Sequence, residues 1–295
     1  MSKPSPVVVI GDLLLDVLAE VGGPIARGTD TRAAISVRAG GSSANMAVWL
    51  ARLGVETHFV GKVGRDVFGR SLAEELEREG VVPRLAEDHS APTGKVVILV
   101  DDVGERTMIT DRAASQRLRP EDLPDDLFER GRHLHLSGYG FSHPDSRKAV
   151  IEALNRAREA GMTVSVDPSS VAVLKEIGAE QFLEWTSGAG LLFPNLEEGA
   201  LLAGVTDPVS IIGTLRGNYS GVALKLGGEG AAYGGEDEPF IRLPVVPARV
   251  VDTTGAGDAF CAAFIASWLS DDAPGTSLRL GLEQASRVVG EIGGR

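Results

Sequence analysis

Val251-Asp252-Thr253-Thr254-Gly255-Ala256-Gly257-Asp258 runs directly into an apolar stretch, Ala259 to Leu269, that reads as a helix. Small residues just before a helix let backbone N–H groups converge at the positive end of its dipole. That geometry suits a phosphate or a developing negative charge. Asp258 is out of place in such a nest if it only touches phosphate. It has a purpose if it faces a hydroxyl about to attack that phosphate, as a general base, with the dipole keeping it ionised near neutral pH. The other reading of the segment is an ordinary first-turn carboxylate behind a glycine turn.

Outward from this segment, strands and helices alternate. Val7 to Ile10 reads as a buried strand, Ala44 to Leu53 as a helix stopped by Gly54, and Val55 to Val60 as a strand. Phe68, Leu72 and Leu76 mark one helix face, with Gly80 as its C-cap. His133 to Leu136, Thr163 to Val166 and Leu191 to Phe193 read as strands; Asp145 to Ala160 and Leu196 to Ala203 read as helices. Val222 to Leu226 and Ala231 to Tyr233 bracket a Gly-rich turn, and helices Ala256 to Leu269 and Ser277 to Gly290 close the chain. Such alternation implies an α/β fold with a largely parallel sheet covered on both faces.

Two stretches break the rhythm. Leu13 to Arg38 carries short apolar pieces separated by Gly22, Gly23, Pro24 and Gly28. Lys95 to Val100 and Arg106 to Thr110 flank Asp101-Asp102-Val103-Gly104-Glu105 as a hairpin without a helix. Together they are expected to form a small flap beside the main sheet. No repeat, low-complexity tract or linker divides the chain, so residues 1–295 are read as one α/β domain, with a flap or lid from about 13–38 and 95–112.

Composition removes several function classes. The net charge of −12 argues against a nucleic-acid or anionic-membrane surface, though not against a small anionic ligand held by backbone amides. A single cysteine, Cys261, excludes an intramolecular disulfide framework and a Cys-based zinc site. His58, His89, His133, His135 and His143 show no HExxH spacing. No apolar run approaches the ~18 residues that span a bilayer. Met1 to Pro6 leads into a buried strand rather than a signal peptide, so a cytoplasmic protein is expected. Gly61-Lys62 and Gly94-Lys95 are each followed by Val, so no Walker A motif is present. No GxGxxG element follows the first strand, which weakens a dehydrogenase reading.

Four further segments have both a chemical and a structural reading. Ala39-Gly40-Gly41-Ser42-Ser43-Ala44-Asn45 opens a helix; Asn45 offers donor and acceptor to ligand hydroxyls, or Ser42 or Ser43 is merely a cap. Asn195-Leu196-Glu197-Glu198 follows a strand; Asn195 and Glu198 suit a hydrated Mg²⁺, or form a capping box. Lys225-Leu226-Gly227-Gly228-Glu229-Gly230 passes near a nucleotide or is a plain turn. Gly11-Asp12-Leu13-Leu14-Leu15-Asp16 ends the first strand, the edge where open α/β sheets bind ligands, or supplies two solvated acids. Arg112, after the hairpin, is read as facing solvent, with contact to an acidic or phosphorylated substrate as the alternative. Cys261 is expected to be a buried small residue and His135 a satisfied core residue. Glu236-Asp237-Glu238 reads as a solvated loop.

Taken together and in this order, Gly40-Gly41-Ser42-Ser43-Ala44-Asn45-Met46-Ala47 and Asp252-Thr253-Thr254-Gly255-Ala256-Gly257-Asp258-Ala259-Phe260 resemble the PfkB or ribokinase-like family of carbohydrate kinases. Asn195-x-x-Glu198 and Lys225-Leu226-Gly227 fall where that family has its metal-phosphate and nucleotide elements. The resemblance runs from about residue 7 to the end. It implies a Rossmann-like three-layer sandwich with a small β lid that often mediates dimers. By the same similarity Asp258 is the base, and the backbone at Gly255, Ala256 and Gly257 is the anion hole for the transferred phosphoryl group. Asn195 and Glu198 would organise Mg²⁺ and phosphates through water. Asn195, Lys225, Gly227 and Gly230 would line the ATP site. Asp16, Asp12, Gly41 and Asn45 would grip the sugar, and Asp252 resembles a residue of a monovalent-cation site, typically for K⁺. Lys225 stands where Thr is frequent, so its contact is expected to differ. The sequence stops at Gly293-Gly294-Arg295, where members often continue with a tail that completes the cation site, which weighs against K⁺ dependence.

The expected activity is ATP-dependent phosphorylation of a hydroxyl on a ribose-, fructose- or ketodeoxygluconate-like sugar. A nucleoside kinase of the same fold is the nearest alternative. A non-catalytic sugar- or nucleotide-binding regulatory protein is the alternative of another class, and the intact Gly-Ala-Gly-Asp segment speaks against it. Expected partners are a small-molecule sugar or nucleoside and a second copy of the chain through the lid, with no nucleic acid and no membrane.

Overall fold

Val7, Val8, Val9 and Ile10 form the first strand, β1 (Val7–Ile10), and all four are fully buried. Successive side chains of a strand point to opposite faces. Val8 and Ile10 enter one apolar cluster and Val7 and Val9 the opposite one, so both faces of the sheet are covered. This is the three-layer arrangement the alternation implied. The structure is a computed structural model that describes residues 4–102, 105–236, 238–290 and 293–294. The hairpin tip at Val103-Gly104, the centre of the acidic loop at Asp237, the N-terminal Met1 to Lys3 and the terminal Arg295 lie outside the described residues.

The chain continues through β2 (Leu14–Val21), β3 (Ala33–Gly40), α1 (Ser42–Arg52), β4 (Thr57–Gly64), α2 (Val67–Arg78), β5 (Val82–Asp88), β6 (Lys95–Val100) and β7 (Arg106–Asp111). It then forms β8 (His133–Ser137), α3 (Pro144–Glu159), β9 (Thr163–Asp167), α4 (Val171–Ile177), α5 (Ala179–Trp185), β10 (Leu191–Leu192), α6 (Leu196–Ala203) and α7 (Pro208–Leu215). β11 (Gly221–Lys225), β12 (Ala231–Gly235), β13 (Ile241–Leu243), α8 (Ala256–Trp268) and α9 (Pro274–Val288) complete the order. Among the described residues the main sheet has nine strands, ordered β13-β12-β11-β10-β9-β8-β1-β4-β5. Pairing is parallel from β5 to β11, and β12 and β13 are added antiparallel. Helices α3 to α7 supply one cluster; α1, α2, α8 and α9 supply the other.

The two irregular stretches do pair. β3-β2-β6-β7 make a separate four-stranded sheet, with Leu14, Leu18, Val96 and Ile98 as its own small core. Three differences from the sequence reading have physical causes. β4 does not stop before Gly61, because Gly61 stays extended against the Gly11 carbonyl, where a Cβ would lie 2.9 Å away. β5, not expected, is an edge strand whose Val-Pro-Arg-Leu-Ala-Glu-Asp sequence is mostly half-exposed and shows no apolar run. The hydroxyls of Ser42 and Ser43 do not cap α1; its N-cap is Gly41, with no side-chain cap bond. His135 is a satisfied core residue, bonded through Nδ1 to Ser165 Oγ at 2.8 Å, and burial holds its pKa down at about 4. No helix among the described residues is long and apolar enough to cross a membrane.

Helix α8 is anchored by aromatic packing. Phe264 is fully buried, edge-on to Phe193 with centroids 5.2 Å apart and tilted against Tyr233 at 5.8 Å. Phe264→Ala is expected to cost about 3–5 kcal/mol of unfolding free energy, through lost transfer energy and the cavity left behind. Urea unfolding checks it: a loss below about 1 kcal/mol would mean that α8 does not rely on this cluster.

Candidate active site

Several charged and polar residues meet at the C-terminal edge of the parallel sheet. Asp167 ends β9, Asn195 follows β10, and Lys225 ends β11. Asp12 follows β1. The N-termini of α1 and α8 point at the same place. Gly255 is the N-cap of α8 and takes a left-handed conformation, φ +72°. A Cβ there would meet the Gly294 carbonyl oxygen. The first N–H groups of any helix lack intrahelical partners; of the three expected to form the nest, at Gly255, Ala256 and Gly257, the Ala256 N–H donates to the Thr253 carbonyl at 3.3 Å.

Asp258 sits in the first turn of α8, and both its oxygens accept hydrogen bonds from α1. Ser42 Oγ donates to Oδ1 at 2.7 Å, and Asn45 Nδ2 donates to Oδ2 at 3.2 Å. Burial and the nearby Asp167 carboxylate raise its pKa to about 7, against the lowering effect of Ser42, Asn45 and Lys225. The helix dipole therefore does not hold it at an ordinary carboxylate value; desolvation dominates.

Lys225 donates from Nζ to Asp167 Oδ2 at 2.6 Å. Its pKa is raised: the pull of Asp167, Cys261 and Glu198 outweighs burial, which alone would lower it. A Cβ at Gly257 would lie 3.6 Å from this ammonium, so the lysine sits beside the nest. Cys261 Sγ donates to the same Asp167 oxygen at 3.3 Å and is buried, as expected of a packing residue. Asn195 and Glu198 do form a capping box. The Asn195 N–H donates to Glu198 Oε2 at 2.8 Å, and the Glu198 N–H donates to Asn195 Oδ1 at 2.9 Å. Burial and Asp167 push the Glu198 pKa up to about 7.

These groups line a cavity of about 620 Å³. Asp167, Asn195, Glu198, Lys225, Gly227, Gly230 and Asp258 form its polar side; Val245, Val246, Phe260, Leu282 and Val289 form its apolar side. A second cavity, of about 270 Å³, lies against the small sheet. Asp16, Arg38 and Arg106 from that sheet line it, together with Asn45, Asp252 and Thr254. The Asn45–Asp258 hydrogen bond joins a wall of the first cavity to a wall of the second.

Some expected site residues stand apart. Gly41 lines neither cavity; at φ +98° it packs on the backbone of Asp12, where a Cβ would crowd the carbonyl. Asp12 is buried and ion-paired with Arg112 at 2.6 Å. Arg112 does not face solvent, because its guanidinium also stacks 3.9 Å over the Tyr139 ring. Asp252 is buried and paired with Arg106 at 2.5 Å. Sequence reading missed Asp167, Ser42 and Arg106 as site residues. Asp167 had a signal: an acid beside Pro168 at the C-terminal end of a buried strand. Ser42 and Arg106 had none, since their partners are far along the chain.

Residues 5–295 match the model of the pfkB family of carbohydrate kinases. A fructokinase of Klebsiella pneumoniae is 34% identical over 277 residues, covering 90% of this chain and 85% of that protein. A 2-dehydro-3-deoxygluconokinase of Bacillus subtilis is 35% identical over 241 residues, covering 78% and 74%. The solved aminoimidazole riboside kinase of Salmonella enterica, complexed with aminoimidazole riboside and an ATP analogue, superposes with a TM-score of 0.83 at 26% identity, over 98% of this chain and 95% of that one. A match running through both helix N-termini and both sheets leaves no part of the site outside the comparison: the chain belongs to the pfkB family of carbohydrate kinases.

Proposed function

We propose that the protein transfers the γ-phosphoryl group of ATP to a hydroxyl of a sugar or sugar derivative of the ribose, fructose or ketodeoxygluconate kind, with Asp258 as the base. The observation that carries this reading is the position of Asp258. Its carboxylate stands at the junction of the two cavities, beside the N–H nest of α8 and held at both oxygens by α1. Phosphoryl transfer asks for positioning and charge stabilisation more than covalent chemistry. The sugar hydroxyl gives its proton to Asp258, its oxygen forms a bond to the γ-phosphorus, and the bond to the bridging oxygen breaks as ADP leaves. The N–H groups at Gly255, Ala256 and Gly257 hold the charge on the transferred group. ATP takes the larger cavity, with its base against the apolar wall and its phosphates toward Lys225 and the nest. The sugar takes the smaller one, bonded by Asp16 and Asn45, with the four-stranded sheet as a lid that keeps water out.

The residues present fit a divalent cation bound with the nucleotide. Asp167, Glu198 and Asp258 face one ammonium, Lys225, so the larger cavity carries excess negative charge on oxygen ligands. Oxygen ligands of this kind suit Mg²⁺, an ion that keeps several waters and binds through one or two carboxylates and phosphates. Glu198 and Asn195 would hold its water shell. Bound there, Mg²⁺ would supply positive charge to the phosphate oxygens.

A nucleoside acceptor is the second reading, favoured by the likeness to the riboside kinase. ADP release measured across free sugars, sugar acids, sugar phosphates and nucleosides separates the two. Response to nucleosides alone would replace the first reading, and ATP binding without turnover on any acceptor would point to a silent binding protein. Asp258→Asn is expected to lower kcat by about 10²–10⁴ with ATP binding retained; near-normal turnover would remove Asp258 as the base. Because burial lifts this pKa from 3.8 to about 7, the carboxylate is largely protonated below that point and cannot accept a proton. kcat/KM should therefore rise as pH passes upward through about 7 and level off above. A flat profile across neutrality would contradict it.

The small sheet also supports a homodimer. Its register puts Val37, Val17, Val97 and Ile109 side by side on one face, with Ile35, Ala19 and Leu99 next to them. Val37 is 57% exposed and Ile109 59% exposed, an apolar face a second copy would cover. Sedimentation should give a particle of about twice 30.9 kDa, reverting to monomer in Ile109→Asp. A monomer for the unaltered chain would end this reading.

A further inference from the structure

The geometry points to Arg106 as the resident cation of the Asp252 site: its guanidinium stands where a monovalent metal ion would have to sit, and it fastens the small sheet to the loop that forms the anion hole. Asp252 lies three residues ahead of Gly255 and is 5% exposed. Its carboxylate is surrounded by N–H donors. Thr254 N–H donates to Oδ1 at 2.6 Å, Gly293 N–H donates to Oδ2 at 2.9 Å, and Arg106 Nη2 meets Oδ1 at 2.5 Å. The Nη1 group of the same guanidinium donates to Thr254 Oγ1. A bare alkali ion needs several oxygens converging on one point. Here a carboxylate oxygen and a hydroxyl oxygen are spanned by one planar fork instead, the arrangement for which guanidinium is suited. Among the described residues, therefore, the site does not fit K⁺.

Two consequences follow from where Arg106 is rooted. It begins β7, at the edge of the small sheet, whereas Asp252 and Thr254 belong to the main body. One side chain thus bridges the sheet over the smaller cavity and the loop leading into Gly255. It also brings a fixed positive charge to the loop that carries the nest, the service a bound cation would render, without dependence on the salt present. The Asp252 carboxyl is held below its ordinary value by these donors, in spite of burial. Arg106 is thus a positioning residue: it acts on the nest through Asp252 and Thr254.

The test compares the unaltered chain with Arg106→Ala and Arg106→Lys in KCl and in tetramethylammonium chloride at equal ionic strength, with and without methylguanidinium at non-denaturing concentration. The thermal midpoint is the first readout, because it reports the site even if the kinase reading fails. The unaltered chain should show the same midpoint and the same rate in K⁺ and in tetramethylammonium. Arg106→Ala should lose stability and about ten- to a hundredfold in kcat, from a displaced nest. Methylguanidinium should restore part of both by binding the vacated carboxylate, since a ligand of the folded state alone raises the midpoint. Arg106→Lys, which keeps the charge but not the fork, should fall between. Activation or stabilisation of the unaltered chain by K⁺ would overturn the proposal. So would an Arg106→Ala variant that behaves like the unaltered chain, or one whose defect methylguanidinium leaves unrepaired.

Discussion

Three carboxylates and one ammonium share the C-terminal edge of the sheet, and the chemistry available there follows from that imbalance. Lys225 cannot serve all three. It is tied to Asp167 at 2.6 Å, and a buried ammonium without such a partner would carry a desolvation cost of several kcal/mol. Asp258 and Glu198 are left with burial and a negative neighbour, and both rise to about 7. A general base is most effective when its pKa lies near the working pH. The same charges that make the site costly to fold raise the pKa of Asp258. They also leave it short of positive charge.

The fold makes this concentration possible by an economy of direction. In a parallel sheet every strand ends on the same side, so residues at or just past the ends of β9, β10 and β11 meet in space although 58 positions separate Asp167 from Lys225. Helices that return to the sheet start on that side as well, and their N-termini bring N–H groups toward it. Asp258 and the pair Ser42 and Asn45 come from two such helix starts. Behind them Phe260, Phe264, Phe193 and Tyr233 hold α8 against the strands, so Asp258 is carried by a helix fixed in the core and not by a loop.

What could be read from the sequence was whatever depends on neighbours along the chain. β1 announces itself because both faces of a central strand are apolar. The Asn195–Glu198 box has its partners three residues apart. The small residues before α8 are a local signal of where that helix starts. What could not be read depends on partners elsewhere. The Ser42 hydroxyl was ambiguous because its acceptor lies 216 residues on. Arg112 read as a surface arginine because neither Asp12, 100 residues back, nor Tyr139 is near it in sequence. Asp252 kept the residue type of a cation site while its partner came from a strand far upstream. β5 was missed for a different reason: an edge strand is half-solvated, and mixed composition is its normal state.

The small sheet shows how one periodicity can serve two tasks. Opposed residues of neighbouring strands share a face, and that face repeats every second residue. Asp16, Leu18, Arg38, Ile98 and Arg106 fall on one face and reach the smaller cavity. Val17, Val37, Val97 and Ile109 fall on the other. A slip of one residue in the β2–β3 register would exchange the two sets on β3, carrying Arg38 to the face that Val37 now occupies. Leu14, Leu18, Val96 and Ile98 form the small core that fixes β2 against β6. A face that carries Asp16, Arg38 and Arg106 and an apolar face are thus specified by the same hydrogen-bonded ladder. A change on one face is felt on the other through the backbone they share.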